Sequence, residues 1–394
     1  MMKTGNEALP VSRCMKQGVS CMVRSLKLVA AAVAVAALGV GVANAETIKV
    51  ATAGPITGSN AAFGDQLKRG AEMAVADINK AGGVMGKQLE LSIGDDACDP
   101  KQAVAVANDL VSKGVVFVAG HFCSSSSIPA SKVYAEEGVL MMTPASTNPK
   151  LTDDAKAAGW KNVFRTCGRD DVQGGVAGKW LASKYKGKKI AIIHDKSTYG
   201  KGVADETKKA MNAAGLKEAM YEAINQGDKD FSALISKMKA NNIAAVYLGL
   251  YVAEGGQLVR QARDQGLKAQ FVSEDAMVDN QFWAIAGDAG EGMLMTFAPD
   301  PRKLDTAKDV VAEFKAQGFD PEGYTLYTYA AMQIFKQAAE KAKSTDVDKL
   351  QAQLHGHSFD TVLGKIKFDD KGDIVNPQYV FYVWSKGQYK EIGS

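Results

Sequence analysis

The feature that most constrains this chain is a rhythm. Short apolar runs that read as buried strands recur. Each runs into a turn rich in Gly, Pro, Ser or Asp and then into an amphipathic helix. "TIKVATAG" meets "GPITGSNAAFG", and the helix "DQLKRGAEMAVADINKAGG" follows with Leu67, Ala71, Ala74 and Ile78 on one face. Gly82-Gly83 ends it in the manner of a left-handed cap. "KQLELSIGDDACDP" is a strand and loop. Asp99-Pro100 then has the form of an N-cap with proline at the first helical position, before a helix whose apolar stripe is Ala103, Val106, Ala107, Leu110 and Val111. "VVFVAG" is the next strand, "IPASKVYAEEG" its helix, and "VLMMTPAST" a further strand and loop. This β-α-β-α-β order predicts a parallel, doubly wound sheet.

After "NVFRTCGRDD" the rhythm restarts. "KKIAIIHDKSTYG", "AAVYLGLYVAEGG" and "AQFVSEDAM" are strand-to-loop segments, and "DFSALISKMKANN" carries the stripe Phe231, Leu234, Ile235 and Met238. The end breaks the pattern. A long helix, "YTLYTYAAMQIFKQAAEKA", precedes two hairpin-like stretches, "GKIKFDDKGDI" and "YVFYVWSKGQYKEI". The expected fold class is therefore α/β, with two similar parallel-sheet units in tandem and a tail that packs back on them. No low-complexity linker separates the units, which favours several short crossings over one tether.

The start reads as a leader. Arg24 and Lys27 precede an uncharged run from Leu28 to Val42 and a small-x-small site at Ala43-Asn44-Ala45. That run is short of the roughly 20 residues a spanning helix needs, so residues 1–45 are expected to be a cleaved export signal with an upstream segment. Cleavage after Ala45 would leave 349 residues, enough for two ordinary domains. It would also remove five basic residues and one acid, taking the formal charge from +3 to −1. The basic balance belongs to the leader, and nothing after it argues for nucleic acid or an anionic surface. Cys98, Cys123 and Cys167 remain, enough for one disulfide and one leftover thiol in an oxidising compartment. Cys98 and Cys123 sit just past strands in loops that could face each other. A bridge there would close about 26 residues, worth roughly 3–4 kcal/mol in the chain-entropy picture.

Ligands of open α/β sheets bind beyond the carboxyl ends of the strands. The loops there are Gly54–Gly58, His121–Ser127, Thr143–Thr147, Asp195–Tyr199, Tyr251–Glu254 and Glu274-Asp275. A serine hydrolase would need Gly-x-Ser-x-Gly on an elbow and a positioned histidine. "GHFCSSSSIPAS" lacks the flanking glycines, and His121 and His194 follow buried strands as packed histidines do. The glycine-rich fingerprints of dinucleotide and phosphate sites are missing, and "DDACD" lacks the alternation and closing Glu of a calcium loop. No cofactor and no metal is expected. What remains is donors. The serine run begins a helix, whose free N–H groups and positive end suit a carboxylate, although a serine there also serves simply as a cap. Thr147 and Asp275 are candidates for the complementary half of a zwitterion site, walled by Phe63, Phe122, Tyr199, Tyr251 and Tyr324. Any one of these aromatics alone reads as core.

The blocks "GDQLKRGAEMAVADINKAGG", "DDACDPKQAVAVAN", "GHFCSSSSIPAS", "TPASTNP", "IAIIHDKSTYG" and "FDTVLGKIKFDDKGD" resemble periplasmic leucine/isoleucine/valine-binding proteins of ABC importers along nearly the whole mature chain. The resemblance implies a type I periplasmic binding fold with two doubly wound lobes joined by three crossings, 46–166 plus 299–377 and 167–298 plus 378–394. It implies a Cys98–Cys123 disulfide and a non-enzymatic, monomeric periplasmic protein that hands an amino acid to a membrane permease. It places the carboxylate on Ser124 and Thr147. The ammonium falls on the Ala145 carbonyl, Thr147 and Asp275, with Ser146 in the same loop, and the side chain among Phe63, Phe122, Cys123, Tyr199, Tyr251 and Tyr324. The acid is usually Glu in the family, and position 63 is usually Tyr or Trp. The alternatives are another amino acid or a short amide as ligand, and a sensor that feeds a receptor instead of a permease.

Overall fold

The computed structural model describes residues 46–393. The expected leader lies outside them. The first sheet is wholly parallel: β1 (Ile48–Gly54), β2 (Leu89–Asp95), β3 (Phe117–Gly120), β4 (Leu140–Thr143) and β5 (Val163–Arg165), in the order β2-β1-β3-β4-β5. The connecting helices are α1 (Ala61–Lys80), α2 (Pro100–Ser112), α3 (Ser124–Glu136) and α4 (Lys150–Ala157). Asp99 caps α2 as expected, its carboxylate accepting from the N–H groups of Lys101 and Gln102 at 2.8 Å. Of the stripe expected on α2, Ala103, Ala107 and Leu110 are buried, whereas Val106 and Val111 lie half-buried at its margin.

After β5 the chain enters a second layer through α5 (Asp170–Lys184). It builds β6 (Ile190–His194), α6 (Thr198–Ala213), β7 (Met220–Ala223), α7 (Ser232–Ala240), β8 (Ala245–Gly249), α8 (Val252–Asp264), β9 (Gln270–Ser273), α9 (Asn280–Ala286) and β10 (Leu294–Phe297). The parallel strands run β7-β6-β8-β9-β10, the same order as in the first sheet. The chain then returns through α10 (Lys308–Ala316) to α11 (Thr325–Ala342), which packs on α1, β3 and β4. It adds α12 (Val347–Gly356) and the hairpin β11 (Ser358–Thr361)/β12 (Gly364–Lys367). It finally crosses again, and β13 (Val380–Ser385) and β14 (Gln388–Ile392) join the second sheet antiparallel, beside β10.

Strands such as Ile190–His194 and Ala245–Gly249 are buried at every residue, as parallel strands covered on both faces must be. The first sheet has a separate apolar core on each face, one under α2, α3 and α4 and one under α1 and α11. Both sheets reverse strand order at their first strand, between β1 and β3 and between β6 and β8. Crevices for ligands open at such points, and the loops read from the sequence sit there.

Candidate functional site

The first layer builds its half of the site from hydroxyls fixed by the backbone. Cys98 and Cys123 are bonded, with their Cα atoms 5.5 Å apart, which ties the loop after β2 to the loop after β3. The imidazole of His121 is fully buried between Asp96 (Nδ1 to Oδ2, 2.6 Å) and the Tyr134 hydroxyl (2.9 Å from Nε2). Both ring nitrogens are thereby committed, and none is free to act as a base. The His121 carbonyl accepts from Thr143 Oγ1 at 2.6 Å and from Ser127 Oγ at 3.3 Å. Ser146 Oγ lies 2.6 Å from Ser127 Oγ and donates to the Phe122 carbonyl at 2.8 Å. Ser146, expected to face a ligand, thus braces the two loops against each other. Behind them Arg165, 0 % exposed, donates to the carbonyls of Ser146 (2.7 Å) and Asn148 (3.1 Å) and pairs with Asp373 (2.6 Å). Asp373 also holds Arg169 (2.7 Å).

Within the run of four serines each residue has its own surroundings. Ser125 Oγ donates to the Cys98 carbonyl (3.4 Å), Ser127 is the brace, and Ser126 Oγ is buried without a partner. Ser124 opens α3 and faces the cavity, its Oγ accepting from the Asn148 N–H at 3.3 Å.

The second layer contributes acids and phenols. β9 ends in Ser273, and Glu274 and Asp275 follow it, both buried. Glu274 accepts from Ala276 N–H (2.6 Å), Leu250 N–H (3.2 Å) and the Tyr199 hydroxyl. Asp275 accepts from Tyr199 (2.8 Å) and, across the cleft, from Tyr324. Tyr199 stands beside two carboxylates with one hydrogen to give. Burial pushes the Asp275 carboxyl up to about 6, with the Tyr199 hydroxyl pulling the other way. Burial, then the charge of Asp275, raises Glu274 well above the usual carboxylate range. A third acid, Asp170, is the fully buried first residue of α5. Neither of its oxygens has an aligned hydrogen-bond partner, and the Thr147 hydroxyl is likewise buried and unpartnered. Burial raises Asp170 too. The Thr147 hydroxyl stands near enough to pull it back, and the charge of Asp275 pushes it further up.

Between the two halves lies a small, nearly filled cavity of about 10 Å³. Phe122, Ser124 and Ala145 line it from the first layer, and Tyr199, Tyr251 and Asp275 from the second. The Phe122 ring stacks on Phe63 at 4.6 Å and meets the edge of Tyr324 at 5.4 Å. Phe63 and Tyr324 therefore back the wall that Phe122 presents, and Cys123 is buried in the same apolar core. Tyr199 and Tyr251 pack against each other at 5.1 Å. Sequence reasoning missed Asp170 as a site residue and named Glu274 only as part of a loop. Two acids directly after a buried strand were a usable signal for Glu274. Asp170 gave none, because acids at helix starts are common for dipole reasons. Cys167 is a buried free thiol, and burial raises its pKa. Among the described residues no cluster of ligands fits a metal ion, and no helix is long and apolar enough to cross a membrane.

Residues 47–388 match the periplasmic binding protein family. The chain belongs to that family. It is 50% identical over 334 residues to Leu/Ile/Val-binding protein homolog 1 of Brucella abortus, covering 84% of this chain and 89% of the relative. It is 49% identical over 347 residues to the leucine-, isoleucine-, valine-, threonine- and alanine-binding protein of Pseudomonas aeruginosa, covering 87% and 91%. Among solved structures, a leucine-binding protein from Thermotoga maritima superposes with a TM-score of 0.81 at 26% identity, covering 88% of this chain and 98% of that one. The substrate-binding protein LivJ of Streptococcus pneumoniae in complex with isoleucine gives 0.79 at 26% identity, covering 88% and 99%. The expected fold class holds: two mainly parallel sheets in the type I periplasmic binding arrangement. The family binds substrates and is not enzymatic, in keeping with the committed histidines.

Proposed function

We propose that this periplasmic binding protein captures a branched-chain amino acid between two closing lobes and delivers it to the permease of an ABC importer. It would act as an exported monomer, after removal of residues 1–45. The lobes are 46–166 plus 299–377 and 167–298 plus 378–394. The observation that carries this reading is the pairing across one small cavity of a helix start bearing Ser124 with Asp275. A ligand carboxylate meets free N–H groups and a hydroxyl at the first. An ammonium meets Asp275, the Ala145 carbonyl and the Thr147 hydroxyl. The apolar side chain packs on Phe122, Tyr199 and Tyr251, backed by Phe63 and Tyr324, with Cys123 in the same core. Closure excludes water, which strengthens every one of these polar contacts. No bond is made or broken.

The relatives are named for leucine, isoleucine and valine binding, and one also for threonine and alanine. That last name favours a second, wider reading in which small amino acids share the site. The test is to unfold the purified protein, identify the released ligand by mass spectrometry, and screen amino acids by thermal shift. Stabilisation by leucine, isoleucine or valine is expected. Stabilisation by a short amide or a sugar and by no amino acid would overturn the ligand class.

A further inference from the structure

Asn148 ends the ligand loop after β4, and its four polar groups reach four different places. Its N–H donates to Ser124 Oγ (3.3 Å), and its carbonyl accepts from Arg165 (3.1 Å). Its Oδ1 accepts from the Lys150 N–H (3.0 Å) at the start of α4. These three bonds lie within the first layer. The fourth leaves it: Nδ2 donates at 2.8 Å to the carbonyl of Thr198, in the first turn of α6, the helix that carries Tyr199. The residue is 5 % exposed. α6 is shaped to receive it. Gly202 lies one turn beyond Thr198, and a Cβ there would run into Asn148 Nδ2. Among the other bonds between the layers, Gln66 to Asp279, Asn280 to Glu322 and Tyr324 to Asp275 do not involve the loops after β3 and β4, and the Asp170 N–H to Thr147 carbonyl bond (3.0 Å) joins the loop after β4 to the start of α5, where the chain crosses.

We propose that Asn148 is a closure latch, a positioning residue that couples capture of the ligand carboxylate to docking of the second lobe. With its oxygen accepting from the Asn148 N–H, the Ser124 hydroxyl keeps its hydrogen for the ligand. The same residue then fastens α6, and with it Tyr199, over the occupied site. Arg165 holds the Asn148 carbonyl from behind, so the side chain starts from a fixed base. Gly202 is the matching half of the device, since any larger residue there holds α6 off. The proposal rests on the amino-acid reading above.

Two variants approach the latch from opposite lobes. Asn148→Asp keeps the shape and the bond to Lys150 but sets a carboxylate oxygen against the Thr198 carbonyl, and Gly202→Ala fills the docking notch. Leucine binding is followed by calorimetry, dissociation by stopped-flow tryptophan fluorescence, and closure by small-angle scattering. For each variant the dissociation rate and Kd are expected to rise about tenfold, with the association rate changing less. The scattering radius with leucine should stay nearer the ligand-free value, and the melting temperature of the ligand-free protein should not move. A double variant no weaker than the worse single one would tie the two residues to one interaction. Wild-type dissociation rates in both variants would overturn the latch alone. So would a ligand-free melting temperature lowered as much as the liganded one, which would make Asn148 merely structural. A wild-type protein that binds no amino acid would overturn the reading beneath it, and the latch with it.

Discussion

The two halves of the site are finished to different degrees. In the first lobe nearly every polar group that shapes the ligand loops already has a partner: His121 with Asp96 and Tyr134, Ser146 with Ser127 and Phe122, Arg165 with Asp373 and two loop carbonyls. That half is a rigid receptacle. The second lobe gathers Glu274 and Asp275 below two phenols, with Asp170 alongside, and the hydrogen bonds given to these acids come from tyrosine hydroxyls, the Ser273 hydroxyl and backbone N–H groups, none of them charged. That half is electrostatically incomplete. In the proposed function a ligand bearing one positive charge supplies what it lacks, which would separate recognition into placement by the first lobe and charge completion by the second.

The contrast can be broken at either side. The largest effect is expected from Asp373→Ala, which strands Arg165 at the back of the first lobe, whereas Arg169 keeps Asp153 and Asp171. Removing one partner of a buried pair costs about 3–5 kcal/mol of stability, to be read from the denaturant midpoint of the ligand-free protein. Asp275→Ala should do the reverse, leaving folding nearly intact and weakening leucine binding by about 2–5 kcal/mol. Calorimetry that returned the wild-type Kd would remove Asp275 from the site. Acidification probes the same half more gently. Because the folded-state carboxyl of Asp275 is raised to about 6, its contribution to ligand-free stability is fully present below the unfolded value and is lost as pH rises through 6. The charge that ligand ammonium needs runs the other way, so affinity should fall as pH drops through 6, by about 1.4 kcal/mol per unit at most. A ligand-free melting temperature and a Kd that both rise as pH drops through 6 would bear this out, and opposite trends would contradict it. The smallest effect is expected at Ser124→Ala, about 1–1.5 kcal/mol in Kd, because the N–H groups of the helix start persist.

The repeated strand order was legible in the sequence because parallel strands buried on both faces are nearly pure apolar runs, and each turn carries its own punctuation. The place of the tail was legible only through the family resemblance, not from its own residues. "YVFYVWSKGQYKEI" shows a hairpin, but only the free edge at β10 decides that it joins the second sheet antiparallel. At the candidate site, residue types at strand ends located the loops that line the cavity, but not the direction of each side chain. Ser146 turns inward because two loop carbonyls lie within its reach. Phe63 and Tyr324 stand behind Phe122 because three rings packed together leave one face for the cavity. Glu274 and Asp170 could not be separated from ordinary loop and helix-start acids without the burial that tertiary packing imposes.

The chain passes between the two layers three times, after β5, after β10 and before β13. Mechanically, three straps side by side behave unlike a single cord. They bend together in one plane but resist shear and twist, so the lobes have essentially one way to approach each other. Each closure brings Asn148 back to the same notch and Asp275 back to the same phenol, and the search for register that two tethered bodies would face does not arise.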